Sequence, residues 1–235
     1  MNKPGRFLSQ IPIYCLVFMG ILMLTLLGND AVTVMSENAR LETQRCIIID
    51  AGHGGVDGGA TSCSGVLESQ INLQIALRLD DLLHLLGYRT EMIRTEDISV
   101  YTQGETIAAK KISDLKERVR IVNSKEEGIL VSIHQNYFSD SRYSGAQVFY
   151  PKTEGSERLA KDLQRSIVSS LNVGSNRQAK PVSGVYLMEH IQNTGILIEC
   201  GFLSNPEEDA NLRSAQYQKK LCCVIAASVG KFLLS

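Results

Sequence analysis

The sequence predicts a single α/β domain with a mainly parallel sheet and helices on both faces. Apolar runs of strand length alternate along the chain with stretches whose apolar residues recur every three or four positions. That alternation demands crossover connections, which pair neighbouring strands in parallel and lay helices over both faces of the sheet. Size agrees: 235 residues, 44% hydrophobic and 21% charged, suit one large or two small globular domains, and no internal repeat or low-complexity tract divides them.

The first 28 residues stand apart. Lys3 and Arg6 precede an uncharged apolar run over residues 11–28. A basic flank before an apolar core reads as an export signal peptide or a membrane anchor, with the remainder outside the cytoplasm. Residues 29–44 are polar and unpatterned, a linker, so the folded domain is expected over 45–235. Residues 45–50 read as a first strand, buried on both faces because the run is continuously apolar, and they lead into a glycine-rich loop. Over 68–86 the residues Ile71, Ile75, Leu79, Leu82, Leu83 and Leu86 mark a helix that Gly87 stops. Residues 88–94 form the second expected strand. A loop through Thr106 leads to a helix over 113–124, where Ser113-Asp114-Leu115-Lys116 has the form of a capping start. Residues 128–134 are the clearest buried strand, followed by a strand over 145–150 and an amphipathic helix over 154–171. Two more strands are expected over 184–188 and 195–200, with helices completing the chain.

Composition excludes several functions. Lys+Arg 24 against Asp+Glu 25 gives a formal charge of −1, which supplies no electrostatic footprint for nucleic acid. The six cysteines include no C-x-x-C pair, which argues against a zinc ribbon or a thioredoxin-like motif. Cys46 and Cys200 sit in strand-like runs, where a thiol acts as a small hydrophobe. The glycine-rich loop lacks both the Lys-Ser/Thr ending of a phosphate-binding loop and the G-x-G-x-x-G spacing, so a nucleotide is disfavoured.

Open parallel sheets bind ligands beyond the carboxyl ends of their strands. His53 follows the first strand, His134 closes a central one and Glu199 closes the last, so all three should reach one rim. A catalytic zinc takes three ligands from His, Glu or Asp and keeps a position for water. His53 and His134 offer two imidazoles and Glu68, at the start of the first helix, a carboxylate; Cys63 is the rival ligand. Glycines at 52, 54, 55, 58 and 59 let the backbone approach a metal or substrate closely. Asp50 and Asp57 are the candidates for accepting the outer ring N–H of a ligating histidine. Glu199 ends an apolar strand, where poor solvation raises a carboxyl pKa and suits it to move protons. Asn136 and Arg177 are candidate substrate contacts. His84, among leucines, reads as a flanking residue and His190 as a surface one.

Taken together, DAGHGGVDGGA (50–60), a glutamate 15 residues after its histidine, VSIHQN (131–136) and ILIECGFLSN (196–205) resemble the type 3 family of zinc-dependent N-acetylmuramoyl-L-alanine amidases, from about residue 46 to the C-terminus. The resemblance implies a twisted, mostly parallel six-stranded sheet flanked by helices. It also implies one Zn2+ on His53, Glu68 and His134, with Glu199 as the catalytic carboxylate. The reaction implied is hydrolysis of the amide between the lactyl group of N-acetylmuramic acid and L-alanine in peptidoglycan. Residues 102–119 and 184–209 look most like the small sporulation-associated amidases that act on spore cortex, where removal of the peptide stem precedes formation of the muramic δ-lactam read in germination. That likeness implies cortex muropeptides as substrate and an extracytoplasmic location, the intermembrane space of the forespore. Two alternatives stay open: dependence on a partner protein for zinc retention or activation, and another zinc peptidase on the same scaffold. Ala51 stands where the family commonly has proline, Gln135 and Tyr137 where it has small residues, and Cys200 where it has a small or hydroxylated one.

Overall fold

The computed structural model describes residues 45–235. The expected anchor at 1–28 and linker at 29–44 lie outside the described residues, among which no helix is long and apolar enough to cross a membrane. The elements in order are β1 Ile47–Ala51, α1 Glu68–Leu85, β2 Thr90–Met92, α2 Ile107–Asn123, β3 Ile129–Asn136, β4 Gln147–Tyr150, α3 Ser156–Ser170, β5 Lys180–Pro181, α4 Tyr186–His190, β6 Thr194–Phe202, α5 Pro206–Leu212 and α6 Ala215–Leu233. They build one six-stranded sheet in the order β2-β1-β3-β6-β4-β5. Pairing is parallel throughout except between β4 and β6. The α/β class with a mostly parallel sheet is therefore the observed one.

Alternation along the central strands splits the core in two. Ile47, Ile49, Ile133, Ile196 and Ile198 pack with apolar residues of α1, α3 and α6 on one face. Ile48, Leu130 and Leu197 pack with Val122 of α2 and with Leu187 and Met188 of α4 on the other. A strand covered on both faces has no position for a polar residue, and this is why β1 and β3 read as unbroken apolar runs. The exceptions mark the site: Asp50, Ser132, His134 and Glu199 continue the face of Ile48, Leu130 and Leu197 toward the strands' carboxyl ends.

Three local expectations are corrected. Residues 184–188 are not a strand: Tyr186–His190 is a one-turn helix, begun where Gly184 takes φ 76° and its N–H donates to the Glu189 carboxylate at 2.6 Å. Leu187 and Met188 of that helix are buried, while Tyr186 and His190, four apart, stack at 3.9 Å. The fifth strand, β5, is instead the exposed pair Lys180–Pro181. The helix expected over 113–124 begins six residues earlier, at Ile107, with Thr106 as its cap accepting from the Ala109 N–H at 3.2 Å. Ser113 lies inside that helix, where its hydroxyl accepts from the N–H groups of Thr102 and Gln103 and so fastens the preceding loop.

Candidate active site

The rim gathers its groups from four elements. The Gly52 N–H donates to the Ile133 carbonyl at 3.0 Å, extending the β1–β3 pairing one residue beyond β1 and delivering His53 beside His134. His134 sits opposite Glu199 in the β3–β6 register, which slips just beyond them so that Asn136 meets Phe202. Glu68 opens α1 and is 4% exposed.

One atom each of His53, Glu68 and His134 converge within 4.8 Å of one another. His53 Nε2 lies 3.3 Å and His134 Nδ1 3.2 Å from Glu68 Oε1. Metal–ligand bonds of about 2.0–2.1 Å in a tetrahedron have edges of roughly 3.3 Å, so the two edges that meet at Glu68 Oε1 match a zinc ion, and two imidazoles with a carboxylate are a donor set zinc takes. Burial opposes charge on Glu68, yet hydrogen bonds from His134 and His53 outweigh it and hold the carboxyl well below its usual range. The carboxylate is fixed further by the N–H of Gln135 at 3.1 Å, by Asn72 Nδ2 at 3.2 Å and, on its other oxygen, by the Ala60 N–H at 3.0 Å.

Close approach explains two glycines. A Cβ on Gly52 would stand 2.2 Å from Cε1 of His134, and one on Gly59 2.6 Å from Oε2 of Glu68. Of the two proposed partners for a histidine, Asp57 takes the role: its Oδ2 lies 2.9 Å from His53 Nδ1, which leaves Nε2 facing Glu68. Asp50 does not. Its carboxylate is buried against the Arg118 guanidinium and accepts from the Ser132 hydroxyl at 2.7 Å.

Asp50 carries a stability consequence. Burial raises its pKa, but Arg118, aided by His134 and the Ser132 hydroxyl, overcomes that and holds the carboxyl below its ordinary value. A depressed folded-state pKa gives stability that is full above the unfolded value of about 3.9 and is lost as pH falls through the folded one. Asp50→Asn leaves Arg118 short of a counter-charge. It is expected to cost about 3–5 kcal/mol, read from denaturant melts at neutral pH, and to flatten the loss of stability below about pH 4.

Glu199 faces the same centre from β6. Burial, reinforced by the Glu68 charge and opposed by the two histidines, pushes its carboxyl up to about 7. Its buried Oε2 has no hydrogen-bond partner among the described residues. A carboxyl so placed can take and return a proton near neutral pH.

The remaining candidates separate. Asn136 ends β3 half-buried, its carbonyl accepting from the Leu203 N–H at 2.8 Å. Arg177 lies 5.0 Å over the Phe202 ring and donates to the Ser144 carbonyl and to Gln147 Oε1. Cys63 is exposed, its thiol directed to Asp209 Oδ2 at 3.7 Å rather than to the His53–Glu68–His134 cluster. His84 is exposed beside Thr90, and His190 is at the opposite end of the sheet, its carbonyl accepting from Asn123. The Gln135 side chain donates to Asn72 Oδ1, so in addition to its direct N–H bond the residue supports Glu68 through Asn72.

Sequence reasoning missed Arg94 and Arg118, both 2% exposed. Arg94 Nε donates to the Ala51 carbonyl at 2.8 Å and its Nη2 to the carbonyls of Gly52 and Ser69 at 3.0 and 2.9 Å. Its place at the end of the predicted second strand, on the functional rim, was a usable signal. Arg118 offered none, because Asp114 and Arg118 four apart on a helix look like an ordinary surface pair.

A family model described as N-acetylmuramoyl-L-alanine amidase matches residues 47–231. The germination-specific N-acetylmuramoyl-L-alanine amidase of Bacillus subtilis is 37% identical over 192 residues, covering 81% of this chain and 78% of that protein. Among solved structures, the CwlD amidase from Clostridioides difficile in complex with the GerS lipoprotein is similar at TM-score 0.77 and 37% identity, over 81% of this chain and 98% of that one. The N-acetylmuramoyl-L-alanine amidase from Clostridium difficile 630 is similar at TM-score 0.71 and 30% identity, over 83% of this chain and 98% of that one.

Proposed function

The chain belongs to the N-acetylmuramoyl-L-alanine amidase family, and from that premise we propose that it is a zinc enzyme cleaving the lactyl–L-alanine amide of spore-cortex peptidoglycan. The observation that carries the zinc reading is the convergence of His53, Glu68 and His134 with Glu199 across from them. The cortex reading is supported by the germination-specific relative.

Zinc bound there supplies a Lewis acid for the scissile carbonyl and makes water a nucleophile near neutral pH. His53 is presented through Nε2 because Asp57 occupies its Nδ1, and Glu68 is kept anionic and aimed by its three N–H donors. Glu199 accepts the proton of the attacking water at its unpartnered oxygen and returns it to the leaving nitrogen of L-alanine. No covalent acyl-enzyme is required. Asn136, two residues past His134 on the same strand face, and Arg177, beside the Phe202 end of β6, are proposed to border the substrate.

Residues 1–28 are proposed to serve as a signal peptide or anchor and 29–44 as a linker, with the domain on the extracytoplasmic side; with spore cortex as substrate, that side is the forespore intermembrane space. The complex of the similar CwlD amidase with a lipoprotein favours a protein partner here too, one that activates the enzyme or stabilises its zinc. Zinc content and turnover of the chain purified alone test that point: full zinc occupancy with full activity argues against such a need.

His53→Ala and His134→Ala are each expected to lose both bound zinc, by metal analysis, and turnover on cortex peptidoglycan. Wild-type turnover that survives complete zinc removal sinks the metal reading.

A further inference from the structure

We propose that helix α2 sets the pose of His53 through one stripe of residues, Lys111, Asp114 and Arg118, and so controls how tightly the site holds its metal; this rests on the metal-site reading above. Spacings of three and four residues put these three side chains on one face of the helix.

The stripe grips His53 at two points. Arg118 Nη2 donates to the His53 carbonyl at 2.7 Å, and its Nη1 to the Ala51 carbonyl at 3.1 Å. Lys111 Nζ lies 3.1 and 3.0 Å from the two oxygens of Asp57, whose Oδ2 meets His53 Nδ1 at 2.9 Å. One helix therefore fixes both the backbone and the outer ring nitrogen of the same ligand. Asp114 locks the stripe in place, accepting from Arg118 Nε at 2.6 Å and from the Val100 N–H at 2.6 Å.

His53 needs such support. It has φ 61°, the left-handed region that a residue with a side chain occupies only when its surroundings over-determine it. With Arg94 acting from the other side, three successive carbonyls, those of Ala51, Gly52 and His53, each accept a guanidinium N–H. A simple counter-charge for Asp50 would not require these carbonyl contacts. Arg118 and Lys111 are thus positioning residues, acting on the metal through His53.

The test compares zinc dissociation constants, from chelator competition on the full chain, for wild type, Arg118→Lys, Lys111→Met, Lys111→Arg and Asp57→Asn, together with the melting temperature of each metal-free protein. Lysine at 118 keeps a cation near Asp50 and Asp114, but one ammonium cannot also span to the His53 carbonyl. Arg118→Lys is expected to weaken zinc binding about 10–100-fold and, because the buried Ala51 carbonyl and the part-buried His53 carbonyl lose this donor, to lower the metal-free melting temperature as well, so the Lys111 variants carry the comparison free of that loss. Lys111 is half-exposed, so Lys111→Met should act in the same direction but less, be rescued by Lys111→Arg, and have no further effect in an Asp57→Asn background. Visible spectra of the cobalt-substituted proteins should shift with the affinity, a change that loss of a purely structural contact would not produce. Unchanged zinc affinity in Arg118→Lys and Lys111→Met, while wild type binds one zinc, overturns the inference. If Arg118→Lys fails to fold, the Lys111 and Asp57 variants decide it alone. A wild-type chain that binds no zinc overturns the metal-site reading itself.

Discussion

Glu199→Gln is expected to keep its zinc, to melt no lower than wild type and to lose turnover by about 10²–10⁴-fold, the range that a general acid–base residue contributes. Each part has its own reason. Glu199 is not among the three residues whose donor atoms converge at the proposed metal site, so an amide there removes no proposed ligand. Burial already disfavours its charge, pushing the carboxyl up to about 7, so a neutral isostere relieves a cost rather than adding one. Its Oε2 has no partner among the described residues to leave stranded. What the amide cannot do is accept a proton from water. Metal analysis, a thermal melt and an assay on the same preparation check all three, and retained turnover would remove Glu199 from the mechanism.

Gly52→Ala is expected to be as damaging as deleting a ligand, although alanine is the smallest side chain that can be added. Its Cβ would lie 2.2 Å from Cε1 and 2.3 Å from Nε2 of His134. The backbone cannot easily give way: the Gly52 N–H is bonded to Ile133, and its carbonyl accepts from both Asn72 and Arg94. The imidazole must therefore swing out of the cluster. Zinc should be lost, and with it the several kcal/mol of transition-state stabilisation that a metal supplies, about 10³-fold or more in rate. His134→Ala is the matched control, and a Gly52→Ala protein with normal zinc content would show that the ring can be accommodated elsewhere.

Both variants concern groups that were legible in the sequence, and the reason is physical. A strand buried on both faces leaves no room for polar residues until it reaches the rim, so Asp50, His134 and Glu199 stand out at the ends of apolar runs. Glycines beside the cluster are conspicuous for the same reason, since the space there is already filled by the His134 ring at Gly52 and by the Glu68 carboxylate and His53 ring at Gly59. The strand Lys180–Pro181 was invisible because two exposed residues carry no pattern. The helix at Tyr186–His190 was mistaken for a strand because one turn is too short to display a helical period. Thr106 was passed over as a cap in favour of Ser113, whose hydroxyl turns out to serve the loop before the helix. Asp50 was assigned to a histidine because its real partner, Arg118, lies 68 residues away, and nothing local announces a pairing that only the packing of α2 against the rim creates.

The central claim is that the His53–Glu68–His134 centre, with Glu199, hydrolyses the bond between muramic acid and L-alanine. Mass spectrometry of cortex peptidoglycan treated with the zinc-loaded chain tests this most directly, with metal-stripped protein and Glu199→Gln alongside. The expected products are glycan bearing free lactyl carboxylates and stem peptides with a free L-alanine amino terminus, formed only by the zinc-loaded wild type. Cleavage within the stem peptide, or the same products from the metal-stripped protein, would contradict it.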